Sequence, residues 1–382
     1  MGAHPLRYFF SSLSPRRPGI FPSPLPPLYA RWVDDLLTGP IPHETEATCD
    51  DCAMCAKEGR TLGDSHFFRP ETKCCTYVPA LPNFLVGGIL AEEDAAMAAG
   101  RASVEERIRA GLGVTPLGVA TPPVHRLLRE SGGAVFGRAQ ALRCPHYRDE
   151  DGGRCGIWRH RNAVCATWFC KHVRGAVGMR FWQSLNRLLG TVETTLAHWC
   201  LLELGVGAAT LTRLFPPPLE PGQPRLLGAE AIDGIVEPVV YRAGWGDWHG
   251  REREFFLAAG RLVENLSWAQ IVSIGGPEVR LCARMTMEAY TALTSQAIPE
   301  RLVLGSFQAA PMGHHASRVI SYAAYDPVAL PKALMDVLPY FDGRPTRDVL
   351  RAIEQDTGLT LDRSLVRKLT DFEILVPAPE GA

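Results

Sequence analysis

Nine of the eleven cysteines fall between Cys49 and Cys170, in two tight groups. The first reads Cys49-Asp-Asp-Cys52-Ala-Met-Cys55 and is followed by the adjacent pair Cys74-Cys75. The second comprises Cys144, Cys155, Cys165 and Cys170. Two-residue gaps let neighbouring thiolates converge on one centre, and sulfur prefers a soft or borderline cation. Cation binding is the chemistry that such spacings favour. A structural zinc site takes four ligands, so nine sulfurs fill two sites with one to spare. Asp50, Asp51, Lys57 and Glu58 surround the first group and make it poor material for an unliganded apolar core. A thioredoxin-type dithiol would need a preceding strand, and none is predicted.

Iron competes with zinc. Cys49, Cys52 and Cys55 copy the first three ligands of a bacterial ferredoxin run, but Gly59 stands where the fourth belongs. No triplet shows the three-then-two spacing of a radical-SAM site. Zn2+ is therefore preferred, with iron or an iron–sulfur cluster as the alternative. An all-thiolate zinc centre carries a formal charge of −2 and benefits from nearby cations. Residues 143–187 hold nine of these: Arg143, Arg148, Arg154, Arg159, Arg161, Lys171, Arg174, Arg180 and Arg187. They face Asp149, Glu150 and Asp151, which leaves a local net charge of +6. His146 and His172 lie in the same stretch as substitute ligands. With Trp158, Trp168, Phe169, Phe181 and Trp182, this segment also suits stacking on single-stranded RNA, a second alternative function.

The elements that must position these residues read as mainly α, with few short strands. Residues 1–27 form a flexible Pro-rich lead. Residues 28–190 form an irregular, metal-stabilised cysteine-cluster domain. Within it a helix over Leu28–Leu37, a solvated helical stretch over Glu92–Leu112 and a helix from about Thr167 to Leu189 are expected. Cys165 and Cys170 would sit near the start of the last. Residues 191–325 form a helical middle, helical over 191–214 and 250–297, interrupted by a breaker run from Pro216 to Pro224. A hairpin with strand-like runs Leu302–Ala309 and Ser317–Tyr322 follows. Cys200 and Cys282, in apolar helices, read as small core hydrophobes. His314-His315 reads as a solvated turn.

Residues 326–378 form a winged-helix-like module. Its first helix carries Leu330, Leu334, Val337, Leu338 and Phe341, and a turn over Asp342–Pro345 follows. Thr346 caps a second helix that Gly358 closes, Asp362 caps a third, and a strand over Ile374–Val376 ends the module. From Asp326 to Pro377 seven basic residues oppose nine acidic ones, a net −2 that disfavours DNA. A peptide or protein partner held through 326–378 fits better.

The whole chain of 382 residues is near neutral, at −1, so no global field draws it to nucleic acid or anionic membrane. No apolar run approaches the roughly 18 residues of a membrane span. The first thirty residues lack a signal-peptide core, so cytoplasmic placement is expected, where thiols stay reduced and metal binding outranks disulfides. No phosphate loop, dinucleotide fingerprint or nucleophile elbow is present, and no catalytic residue is assigned.

Two resemblances accompany this reading. The segments CDDCAMC, KCC (Lys73–Cys75) and CPHYRDEDGGRCGIWRHRNAVCATWFC (Cys144–Cys170) resemble the zinc- or iron-chelating cysteine-cluster family, also called YkgJ-like, over about residues 49–172. That family implies metal chelation with no defined reaction. Here an 18-residue insertion separates Cys55 from the double cysteine. LPYFDGRPTRDVLRAI and SLVRKLTDFEILVP resemble the winged-helix module of the PQQ-synthesis protein D (PqqD-like) family, which implies gripping a peptide as an added strand. The combined expectation is a metal-chelating accessory protein that holds a partner polypeptide. The alternative is an iron–sulfur protein or enzyme acting on a peptide.

Overall fold

Phe181, Trp182, Leu185, Leu188, Leu189, Val192, Leu196 and Cys200 recur every three or four residues, and the stripe is buried along one helix, Gly175–Glu203. In the computed structural model this helix is the spine of the molecule. The structure describes residues 7–8, 25–41, 43–44, 49, 52–55, 68–131, 135–216 and 234–379. The spine's main partner is Trp268–Thr294, started by a capping box of Ser267 and Gln270. Pro277 lacks an N–H and Gly276 has φ 58°, so that helix kinks there. Pro27–Leu36 packs on the pair through Tyr29, Trp32 and Val33, and Trp32 Nε1 donates to the Leu266 carbonyl at 3.0 Å. Asn83–Ala91 is apolar on nearly every side and crosses Glu252–Val263 closely. A Cβ at Gly87 would lie 2.0 Å from the Phe256 carbonyl oxygen, so only glycine fits.

Helix accounts for 55 % and strand for 12 % of the described residues, so the mainly α expectation holds. Among the described residues no helix is long and apolar enough to cross a membrane. Several boundaries differ. The helix expected from Thr167 to Leu189 is two helices, Ala163–Thr167 and Gly175–Glu203. Residues 168–174 between them are drawn out to meet the C-terminal region. The His172 N–H donates to Asp326 Oδ2 at 3.2 Å, and Arg174 Nη2 donates to Asp371 Oδ1 at 2.7 Å. The stretch read as solvated over Glu92–Leu112 contains the helix Ala98–Ala110, which buries Val104 and Arg107. The Pro217–Pro224 run lies outside the described residues.

The boundary at 190 falls inside the spine helix, and one apolar core runs from Leu25 to Leu293. The boundary at 325/326 cuts a second core, in which Leu302 and Val319 pack with residues from Val328 to Leu375. Arg301–Leu304 is the middle strand of a sheet, antiparallel to Asp342–Pro345 and Leu375–Pro377. Asp342–Pro345, expected as a turn, is thus a strand. Gln308–Met312, Ala316–Ile320 and Val328–Pro331 form an antiparallel sheet, so the expected hairpin belongs with the C-terminal unit. Pro345, not Thr346, precedes the helix Thr346–Thr357; the Thr346 hydroxyl instead donates to the Pro299 carbonyl at 3.0 Å. Asp362 does cap Arg363–Asp371, accepting from the Leu365 N–H at 2.7 Å. Most of the 1–27 lead lies outside the described residues; within it, Arg7–Tyr8 pairs in parallel with Val328–Ala329, and Leu25 is buried.

Candidate functional site

Tight turns place each cysteine. The Cys55 N–H donates to the Cys52 carbonyl at 3.2 Å, and Cys55 bridges Phe68 in parallel register. Cys74 and Cys75 sit on successive turns over 69–77, where the Cys75 N–H reaches Thr72 O at 2.9 Å. The two sequence groups are joined directly: the Cys144 N–H donates to the Cys75 carbonyl at 2.7 Å. Cys155 lies opposite Tyr147 in the small hairpin Tyr147–Arg148/Arg154–Cys155. Cys165 lies in the short helix Ala163–Thr167, its N–H bound at 3.0 Å by the Asn162 side chain. Cys170 packs with Met54, Cys55 and Phe68.

Cys74 is the common neighbour. Cys49, Cys52, Cys55, Cys75, Cys144, Cys155, Cys165 and Cys170 all lie within its electrostatic range. Packing brings Cys52, Cys55, Cys74 and Cys170 together, and the Cys144–Cys75 bond ties in the second group. Cys200 and Cys282 do not join them and are buried in the helical core. His314 and His315 lie in an exposed turn.

Burial sets the protonation of most sulfurs. It pushes Cys49 and Cys144 up to about 12 and raises Cys155, Cys165 and Cys170. Cys55 and Cys75 are raised chiefly because each donates its S–H to a neighbour. The acceptors, Cys52 and Cys74, are lowered by the same bonds, Cys52 to about 7. His146, 1 % exposed, is pushed down to about 4 by burial and is neutral. Ser103 donates its hydroxyl hydrogen to Gly100 O at 2.6 Å and so accepts from His146 Nδ1, 2.8 Å away. That leaves the buried Nε2 with a lone pair and no partner. The donor set, nine thiols, suits a thiophilic cation. The sulfurs stand as neighbours without closing on a point, and among the described residues no three His, Cys, Asp or Glu side chains take ligating geometry. His172 is buried, with Nδ1 3.5 Å from the Tyr322 hydroxyl.

The expected basic shell is mostly spent elsewhere. Arg143, Arg148, Arg159, Lys171, Arg174 and Arg180 each ion-pair with a carboxylate. Among the described residues, Arg161, Lys73 and Arg107 act on the sulfurs without a carboxylate ion pair, and only the first was expected. Arg161 lies 3.5 Å over the Trp158 ring and within range of Cys49, Cys74, Cys155 and Cys165. Lys73 adopts φ 48°, sparsely populated for a side-chain-bearing residue. Its ammonium donates to the carbonyls of Cys49, Gly152 and Gly153, the last at 2.9 Å, which holds that conformation. Arg107 donates to Leu112 O at 2.9 Å and to Ala120 O at 2.6 Å, and burial pushes it down to about 10. Its place beside Cys144 was hidden because its helix reads as solvated.

The ring platform expected for RNA is largely absent. Phe181 and Trp182 are core residues, and Arg161 covers Trp158; Trp168 is 39 % exposed but packs edge-on against Phe136.

No family model, curated protein or solved structure matches this chain.

Proposed function

We propose that this chain is a thiolate metal-binding protein, with zinc preferred to iron, acting as an accessory to a polypeptide partner. The gathering of cysteines from both sequence groups carries the reading: Cys52, Cys55, Cys74 and Cys170 pack together, and Cys144 bonds Cys75. A bound ion would supply charge neutralisation and cross-linking. The chain's own residues supply sulfur donors from separate segments. Free thiols of this kind require a reducing compartment, in keeping with cytoplasmic placement. The resemblance to a winged-helix module supports a peptide partner. So does the exposed strand Gln308–Met312, which among the described residues pairs on one side.

Elemental analysis and the visible spectrum of protein purified without oxygen test the metal. Colourless protein holding zinc supports the proposal; brown protein with iron and sulfide favours the iron–sulfur rival; protein without metal refutes both. Polypeptide bound to the full chain should slow amide exchange across 308–312. Unchanged exchange there would remove the strand-addition claim.

A further inference from the structure

The chain closes one edge of its own C-terminal sheet. Gln308–Met312 lies at one side of that sheet. At the other, Arg7–Tyr8 pairs in parallel with Val328–Pro331, Arg7 opposite Val328 and Tyr8 opposite Ala329. Alternate residues of a strand turn their N–H and C=O to opposite sides, so the register fixes what this second edge offers. The Lys332 N–H donates to His315 O at 2.8 Å, continuing the ladder in which Pro331 stands opposite Ala316. Leu330 and Val328, two and four residues earlier, therefore bond inward to Ala316–Ile320. Pro327, Ala329 and Pro331 face outward. Proline has no N–H, so the edge offers three carbonyls and a single donor, Ala329.

That set of groups limits what can pair there. In a parallel ladder a residue bonds to the two neighbours of the residue opposite it. Arg7 thus gives its N–H to Pro327 O and accepts from the Ala329 N–H with its carbonyl. Beyond Ala329 the edge has no further donor, because Pro331 lacks one. The ladder is two residues long, against roughly three to ten for a usual strand, and parallel pairs are the weaker kind. Such a short ladder opens readily. We propose that Arg7–Tyr8 is a displaceable self-strand: it closes the Val328–Pro331 edge in the free chain and yields it to an extended polypeptide segment that pairs in the same register. This rests on the polypeptide half of the reading above, is independent of the metal, and adds regulation to it. A strand carried by the same chain competes at an effective concentration on the order of 1 mM, so a free segment of equal affinity displaces it only near that concentration.

The test is hydrogen exchange of the full chain, read residue by residue by NMR. Arg7→Pro takes away the N–H and sets a ring against the Pro327 carbonyl. It should release the strand and speed exchange at Ala329 about tenfold, roughly the worth of one hydrogen bond. Val328 and Leu330 bond inward and should keep the parent's rates. Arg7→Ala retains the backbone donor and should leave Ala329 protected. A synthetic peptide of residues 1–12 at about 1 mM should restore protection at Ala329 in the Arg7→Pro chain, and the same peptide carrying that substitution should not. Unchanged exchange at Ala329 in Arg7→Pro would overturn the self-strand, while the partner reading keeps its own test at 308–312. An exposed Ala329 that the peptide fails to protect would overturn the displacement. Protection that falls when the parent is diluted would assign the strand to a second copy of the chain and overturn the intramolecular closure.

Discussion

The sulfur region and the C-terminal unit are held together by different means. The C-terminal unit has an ordinary core in which Leu302, Val349, Val366, Leu369, Phe372 and Ile374 are fully buried. The apolar cluster under the cysteines is Met54, Cys55, Phe68 and Cys170, and two of its four buried members are themselves cysteines. Turns, backbone bonds such as Cys144 N–H to Cys75 O, and Lys73 on three carbonyls do the rest. Apolar burial stabilises one unit, whereas the other has little of it and, on the proposed reading, would rely on a bound ion.

Removing the metal should break this comparison open. A structural zinc site contributes on the order of 10 kcal/mol at neutral pH. Cys74→Ser, or a strong chelator, is therefore expected to strip the metal and unprotect the amides of Cys75 and Cys144. Hydrogen exchange is the measurement, and protection at Ile353 and Val366 should persist. Loss of protection at both places together would show that the units do not stand apart.

The converse change works on the apolar side. Phe372→Ala removes a fully buried ring from the C-terminal core and should cost about 3–5 kcal/mol in denaturant unfolding of that unit. Zinc content should remain that of the parent. A drop in zinc would mean that residues 168–174, which leave Cys170 for Asp326 and Asp371, transmit the damage.

Sequence legibility divides along the same line. Periodicity found helix on both sides of residue 190 but broke the spine there, while side-chain chemistry located the caps at Asp362 and Gly358, which depend on neighbours a few residues away. All nine cysteines were legible by type and spacing. What escaped depends on long-range partners. Arg107 lies on a helix whose other residues look solvated, and Lys73 is one letter before a double cysteine. The run Leu302–Ala309, read as one strand, spans the end of Arg301–Leu304 and the start of Gln308–Met312, and the pairing of the first with residues 342–345 and 375–377 is a tertiary fact. The basic residues of 143–187 misled for the same reason, since Glu92, Asp94, Asp326, Asp371 and Glu373 arrive from elsewhere to pair with them.

A pH dependence sharpens the comparison from within the helical core. Burial raises Glu193 from 4.5 to about 7, despite bonds from the Tyr29 hydroxyl and the Ala163 N–H. A raised carboxyl favours the folded state when protonated. Its contribution is complete below pH 4.5, declines as pH rises toward 7 and is lost above it, a swing of about 3 kcal/mol. Glu193→Gln should flatten the pH profile of unfolding across that window. An unchanged profile would place the titration elsewhere.

The smallest effect expected is at the contact between the two units. Arg180 and Glu373 ion-pair there with side chains 54 % and 38 % exposed. Water screens such a pair, so Arg180→Ala should cost no more than about 1 kcal/mol. Nearby, Arg174 grips Asp371 with side chains 15 % and 10 % exposed, so its loss would leave a largely buried carboxylate to Arg367 alone, 3.9 Å away. A double-mutant cycle across Arg180 and Arg174 separates the two contributions. If Arg180→Ala alone lowers stability by several kcal/mol, the two units share one cooperative transition. The contrast drawn between them would then describe their cores and not their unfolding.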